Sequence, residues 1–290
     1  MNKTIAFHKM VASGNDFILI DQRPTRNAIK GSPAESVSSH AGRPGSGYRG
    51  FAKKYCDRRF GIGADGVLVV EPSKKADFKM RIFNADGSQA QMCGNGARCA
   101  ALYMAQKKRL KTLRFETLAG IIEAQVRGNN VKIKLTDPKD IMLDFPMDIY
   151  GRKIRASFIN TGVPHAVIFV EKVDTIDVAA IGRTVRNHEL FAPAGTNVDF
   201  VQVTGPRSIK LRTYERGVEA ETPACGTGST AAAIINFLRF SDPAKPRNPI
   251  KVLTAGGETL RVSFDMSASR VTDVWLEGKA GLVFTGCIKS

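Results

Sequence analysis

Apolar and polar residues alternate along "FKMRIFN" (78–84) and "IKLRTYE" (209–215), the period of a half-buried strand. Alternation, or short apolar runs bounded by Gly, Pro or Asp, predicts further strands at 4–10, 17–21, 66–71, 121–126, 131–135, 166–171, 198–203, 251–254 and 259–264. Only two stretches carry an Ala-rich helical pattern, 95–108 and 227–240. The pattern predicts an α+β chain, mostly strands, with one clear helix in each half.

The chain repeats itself once. "FKMRIFNADGSQAQMCGNGARCAALYMA" (78–105) and "IKLRTYERGVEAETPACGTGSTAAAIINF" (209–237) both run from an alternating strand through a polar turn to Cys-Gly-x-Gly and a helix. "VASGNDFILID" (11–21) and "INTGVPHAVIFVE" (159–171) correspond more loosely. Two pseudo-symmetric halves are expected, each a mainly antiparallel sheet around a central helix, joined near "LTDPKD" (135–140). Their expected bounds are 1–135 and 136–280, with 281–290 returning to the first half. Residues 23–47, rich in Ser, Gly, Pro and Arg, read as a surface loop, and 267–273 as a turn between the last strands.

Composition narrows the class. The chain has 290 residues, enough for two domains of roughly 150 residues each. No run reaches the about 20 apolar residues of a membrane span. The start "MNKTIAFHKM" lacks the apolar core of a signal peptide, so a cytoplasmic location is expected. Five cysteines, an odd number with no Cys-x-x-Cys, argue against a disulfide framework or a structural zinc site. The formal charge of +16 permits an anionic partner. The densest basic run, "KKRLKTLR" (107–114), is placed at the end of the first helix, where cations suit the dipole. The remaining cations are scattered without a nucleic-acid-binding signature, so a solvated face is expected and no nucleic-acid or membrane partner.

The two Cys-Gly-x-Gly motifs carry the chemistry. A helix start presents unpaired backbone N–H groups and the positive end of the dipole. A cysteine there is expected to have a lowered pKa. Glycine lets a ligand approach the same N–H groups, which hold carboxylate or phosphate. If the halves face each other, Cys93 and Cys225 meet one α-carbon from opposite sides. One thiolate removes the α-proton and the other thiol returns a proton, with neither metal nor pyridoxal phosphate required. Cys56, Cys99 and Cys287 read as ordinary small apolar residues.

The segments "SGNDFILID", "RRFGIGADGVLVVE", "RIFNADGSQAQMCGNGARC", "NTGVPHAV", "TNVDFVQ" and "YERGVEAETPACGTGS" resemble, in order, those of the diaminopimelate epimerase family. The resemblance implies two similar halves around a central cleft, and a last strand, "GLVFTGCI" (281–288), that returns to the first half. It implies Cys93 and Cys225 as the acid/base pair, with His165 and Glu215 tuning the thiols. Gly94, Asn95, Gly226 and Thr227 would bind the reacting carboxylate through backbone amides. Asn15, Asn84, Asn197, Glu215 and Arg216 would hold the substrate's amino groups and distal carboxylate, Arg216 by a bidentate fork. The expected partners are one small amino-acid substrate and a second copy in a homodimer, with no metal or other cofactor.

Two positions depart from the family pattern. Many members have Asn where Val163 stands, and Gln where Gly66 stands. Both put fine specificity in question, so a racemase of another amino acid such as histidine, with the same two thiols, stays open. A basic binding protein on an inactive isomerase scaffold is the alternative of another class.

Overall fold

The computed structural model describes residues 4–23, 46–240, 249–267 and 270–289. Most of the expected 23–47 loop (24–45), and residues 268–269 of the expected 267–273 turn, lie outside the described residues. The chain divides into two compact units. One runs to Ile133 and takes the chain back from Lys279; the other is Lys134–Gly278.

The first unit holds β1 (Thr4–Ala12), β2 (Asn15–Asp21), α1 (Ser46–Tyr55), β3 (Gly66–Glu71), β4 (Phe78–Asn84), β5 (Gln89–Ala90), α2 (Gly94–Lys108), β6 (Thr112–Thr117), β7 (Gly120–Arg127) and β8 (Asn130–Lys134). The second holds β9 (Lys139–Ile149), β10 (Arg152–Asn160), β11 (Pro164–Phe169), α3 (Val178–Arg186), β12 (Asn197–Gly205), β13 (Ser208–Glu215), β14 (Ala220–Thr222), α4 (Gly226–Phe240), β15 (Ile250–Leu253), β16 (Thr259–Ser267) and β17 (Arg270–Lys279). The last strand, β18 (Gly281–Lys289), pairs antiparallel with β1.

Pairing makes the repeat explicit. The first sheet is ordered β18–β1–β2–β3–β4–β6–β7–β8, with β5 beside β4. The second is ordered β9–β10–β11–β12–β13–β15–β16–β17, with β14 beside β13. Each has two parallel neighbours, β2/β3 and β4/β6 in one, β11/β12 and β13/β15 in the other. A parallel pair needs a crossover, and each of these four crossovers carries a helix. The fold is thus α+β with two pseudo-symmetric halves, each with two α-helices among the described residues rather than the single one expected.

Two helices per sheet explain why β3 reads as the unbroken run "GVLVVE". Val67 and Val69 pack on the α1 side with Tyr48, Phe51 and Phe83. Leu68 points the other way, toward Gly96 of α2. A strand covered on both faces loses its polar alternation. In the second unit Ala166, Ile168, Val198, Phe200 and Tyr214 pack with Val178 and Val185 of α3. The period of two then assigns His165, Asp199, Thr213 and Glu215 to the α4 side.

The basic run 107–114 does not lie at the helix end as a block. The helix stops at Lys108, Arg109 takes a left-handed conformation with φ of 55°, and β6 begins at Thr112. Gly66 has a backbone reason of its own. A Cβ there would lie 2.7 Å from the carbonyl oxygen of Phe83 on the paired strand β4.

Candidate active site

Both cysteines sit where a helix begins. Ala97 N–H donates to the Cys93 carbonyl at 2.8 Å, and Ser229 N–H donates to the Cys225 carbonyl at 2.9 Å. Each therefore stands at the N-cap, its own carbonyl closing the first helical turn. The N–H groups of Gly94, Asn95 and Gly96 head one helix, and those of Gly226, Thr227 and Gly228 the other. Such N–H groups are the donors that a helix start offers to an anion, although Gly228 N–H already donates to Cys225 Sγ.

In the first unit the residues behind the helix start form a chain of amides. Asn95 Nδ2 donates to Asn15 Oδ1 at 2.5 Å, and Asn15 Nδ2 donates to Asp65 Oδ2 at 3.0 Å. Asn95 Oδ1 in turn accepts from Arg98 at 2.7 Å, and the same guanidinium nitrogen donates to the Ser13 hydroxyl. Asp65 and Asp16 share Arg58, at 2.8 and 2.7 Å, and Asp16 also pairs with Lys9 at 2.7 Å. Burial raises the Asp16 carboxyl, but hydrogen bonds and charge from Arg58 and Lys9 outweigh it and bring it down to about 2. Cys93 is half-buried, with extended backbone, and its side chain makes no capping hydrogen bond. Asn84 stands apart from this chain, at the exposed end of β4, where it donates to Ser88 at 2.9 Å.

The second unit builds the same helix start differently. Cys225 is only 6% exposed. Its Sγ accepts from Gly228 N–H at 3.4 Å and lies 3.3 Å from the Thr227 hydroxyl. Asp199 and His165 are both fully buried, with His165 Nδ1 2.7 Å from Asp199 Oδ2. The Thr213 hydroxyl donates to the other carboxylate oxygen at 2.7 Å. Asn197 is committed to backbone, donating to the Pro164 carbonyl at 3.0 Å and accepting from Arg216 N–H at 2.8 Å. The Arg216 guanidinium donates to the carbonyls of Ala194 and Gly195 at 3.1 and 3.3 Å.

The electrostatics of Cys225 reverse one expectation. Burial pushes its thiol well above the ordinary range, and the carboxylates of Glu215 and Asp199 push the same way. The two hydrogen bonds to sulfur favour the thiolate but are outweighed. Position at a helix start therefore does not lower this cysteine, because the site is dry and acidic. Burial also raises the Glu215 carboxyl.

The structure thus brings Asn15, Asn95 and the Cys93 helix start together in one unit, and Cys225, Thr227, Glu215 and His165 with Asp199 in the other. Sequence reasoning missed Asp65, Arg98, Ser13, Asp199 and Thr213. The available signals were a lone charge on the Ala-rich face of "GNGARCAAL" and an aspartate at an inward position of "NVDFVQV".

The sequence model of the family described as "Diaminopimelate epimerase" matches residues 7–140 and 157–271. A diaminopimelate epimerase of Aquifex aeolicus is 42% identical over 285 residues, 97% of this chain and 96% of that protein. One of Archaeoglobus fulgidus is 40% identical, over 98% and 96%. Among solved structures, a PhzF-family phenazine biosynthesis protein of Bacillus anthracis aligns with a TM-score of 0.70 at 16% identity, covering 99% of this chain and 100% of that one. A hydroxyproline epimerase of Agrobacterium vitis aligns at 0.68 and 15% identity, covering 100% and 94%. At such identities these two structures speak for the shared fold alone. With its family sequence model matched through both repeats and relatives of 40–42% identity over nearly the whole length, the chain belongs to the diaminopimelate epimerase family.

Proposed function

We propose that this chain is a diaminopimelate epimerase. It would invert the α-carbon of LL-diaminopimelate to give the meso isomer, for lysine and peptidoglycan precursor synthesis in the cytoplasm. The observation that carries this reading is the pair of cysteines at equivalent helix starts of two repeat units, in a chain whose full-length relatives bear that name.

In the scheme, the thiolate of Cys93 takes the α-proton from one face, and the thiol of Cys225 gives its proton to the other. The return reaction exchanges the two roles. Dry surroundings and two nearby carboxylates suit Cys225 to the protonated role at rest. Backbone N–H groups of Gly94, Asn95, Gly226 and Thr227 would hold the carboxylate at the reacting carbon and stabilise the charge that develops as the proton leaves. Asn15, Asn84, Asn197, Glu215 and Arg216 would hold the rest of the substrate, with His165 and Glu215 tuning the thiols. Asn197 would act by fixing the segment that carries Arg216. The proton balance closes on the two sulfurs, so the scheme calls for neither metal nor pyridoxal phosphate. A homodimer is the proposed assembly. Leu282, Val283 and Phe284, exposed on the outer strand β18, support it.

The test is incubation with LL-diaminopimelate in D2O, with L-histidine and L-proline in parallel. Meso product carrying deuterium at one α-carbon is expected, and Cys93→Ala and Cys225→Ala should each abolish it. Exchange on histidine alone would transfer the reading to a histidine racemase and make Val163 its marker. Near-normal turnover in either alanine variant would defeat the two-base scheme.

A further inference from the structure

His165 has two ring nitrogens in different situations. Nδ1 lies 2.7 Å from Asp199 Oδ2, while Nε2 is buried and has no hydrogen-bond partner among the described residues. The other oxygen of Asp199 accepts the Thr213 hydroxyl at 2.7 Å. A carboxylate only accepts, so the contact to His165 requires a proton on Nδ1.

Three adjacent strands supply this arrangement. His165 comes from β11, Asp199 from its parallel neighbour β12, and Thr213 from β13, directly opposite Asp199. The fourth side is α4. A Cβ at Gly228 would lie 2.5 Å from Asp199 Oδ1 and 3.3 Å from Cys225 Cβ. The second glycine of Cys-Gly-Thr-Gly therefore leaves the carboxylate room beneath the cysteine. The other titratable groups facing this network are Glu215, at the end of β13, and Cys225 itself.

We propose that Asp199 is a positioning residue: held by Thr213 and admitted by Gly228, it fixes His165 with its proton on Nδ1 and keeps Nε2 bare as a hydrogen-bond acceptor in the site. An aspartate here restricts the histidine to one tautomer and one ring orientation. Without it the ring can place its proton on Nε2 and cease to accept. The assignment rests on the epimerase reading for its catalytic consequence, but not for the tautomer itself.

Nitrogen-15 imidazole NMR on the whole chain tests it, with the His165 signal assigned by its loss in His165→Gln. The wild type should show His165 protonated on Nδ1 and bare at Nε2. Asp199→Asn keeps the shape but can donate toward Nδ1, so the signal should move to the Nε2–H tautomer. Its kcat should fall about 10²–10⁴-fold with KM changed less than about threefold. A wild-type His165 protonated on Nε2, or on both nitrogens, overturns the proposal even if the variant does not fold. So does an Asp199→Asn enzyme with unchanged kcat. The kinetic arm is read on whichever amino acid the wild type deuterates, so a wrong substrate fails separately from a wrong role for Asp199.

Discussion

The two cysteine-bearing helix starts share a backbone plan and little else. At Cys93 the support is a line of amides and a buried arginine, ending in the Asp65–Asp16–Arg58–Lys9 ion cluster. At Cys225 it is a buried aspartate, a histidine and a glutamate, and the sulfur itself takes the third helical N–H. The repeat thus preserves where the thiols stand and changes what surrounds them. In the proposed two-base scheme one sulfur holds a proton while the other does not, and the dry, acidic surroundings of Cys225 suit it to the protonated role at rest.

The sharpest way to break the comparison is to add one methyl group to each motif. Gly228→Ala puts a Cβ 2.5 Å from the Asp199 carboxylate, which three strands hold in place. Gly96→Ala puts one 2.9 Å from the Leu68 Cδ2 and 3.3 Å from the Ile82 Cδ1, the ends of flexible side chains. The first should cost about 1–3 kcal/mol in urea unfolding and at least about 10²-fold in kcat. The second should stay within about 1 kcal/mol, since better helix propensity offsets the repacking. Equal losses in both variants would show that the two helix starts are supported alike.

A milder probe reads the thiols directly. Timed alkylation with iodoacetamide at pH 7.5, followed by peptide mass analysis, should label Cys93 about tenfold or more faster than Cys225. Exposed Cys287 should label early, while Cys56, buried and pushed up to about 11, should lag. Equal rates at Cys93 and Cys225 would remove the asymmetry on which the resting roles are based.

Much of this plan was readable in the sequence, for physical reasons. β3 and β4 were bounded correctly by apolar runs that end at Gly66, Glu71 and Asn84. The starts of α2 and α4 were marked by Cys-Gly-x-Gly. Other elements hid. α3 carries Gly182 in its middle, which reads as a breaker, yet a Cβ there would meet the Tyr214 ring and Cβ at 2.5–2.9 Å. β9 contains Pro146 and exposes most of its residues, so it shows no inward period. In the site, the cysteines and Asn95 announced themselves through their motif. Asp199 and His165 lie 34 residues apart and meet only through strand pairing. The dryness of Cys225 is likewise a property of packing, which local sequence does not carry.

The smallest effect, and the one that compares the two supports most directly, is their response to acid. Asp16, held down to about 2 against an ordinary 3.8, stabilises the fold above the ordinary value. That contribution is lost as pH falls from about 4 toward 2, because the unfolded chain takes the proton first. Glu215 is raised, so its ionised form is penalised in the fold; the penalty operates at neutral pH and is relieved as acid protonates it. Asp16→Asn should therefore lower Tm at pH 7 by a few degrees, with the deficit closing toward pH 2. Glu215→Gln should raise Tm at pH 7, with the gain fading as pH falls through the raised carboxyl's range. Thermal melts of the two variants against wild type between pH 2.5 and 8 give both curves. Slopes of the same sign would mean that the Cys225 side is stabilised by charge as the Cys93 side is, and that its carboxylates serve the fold rather than the protonation of a thiol.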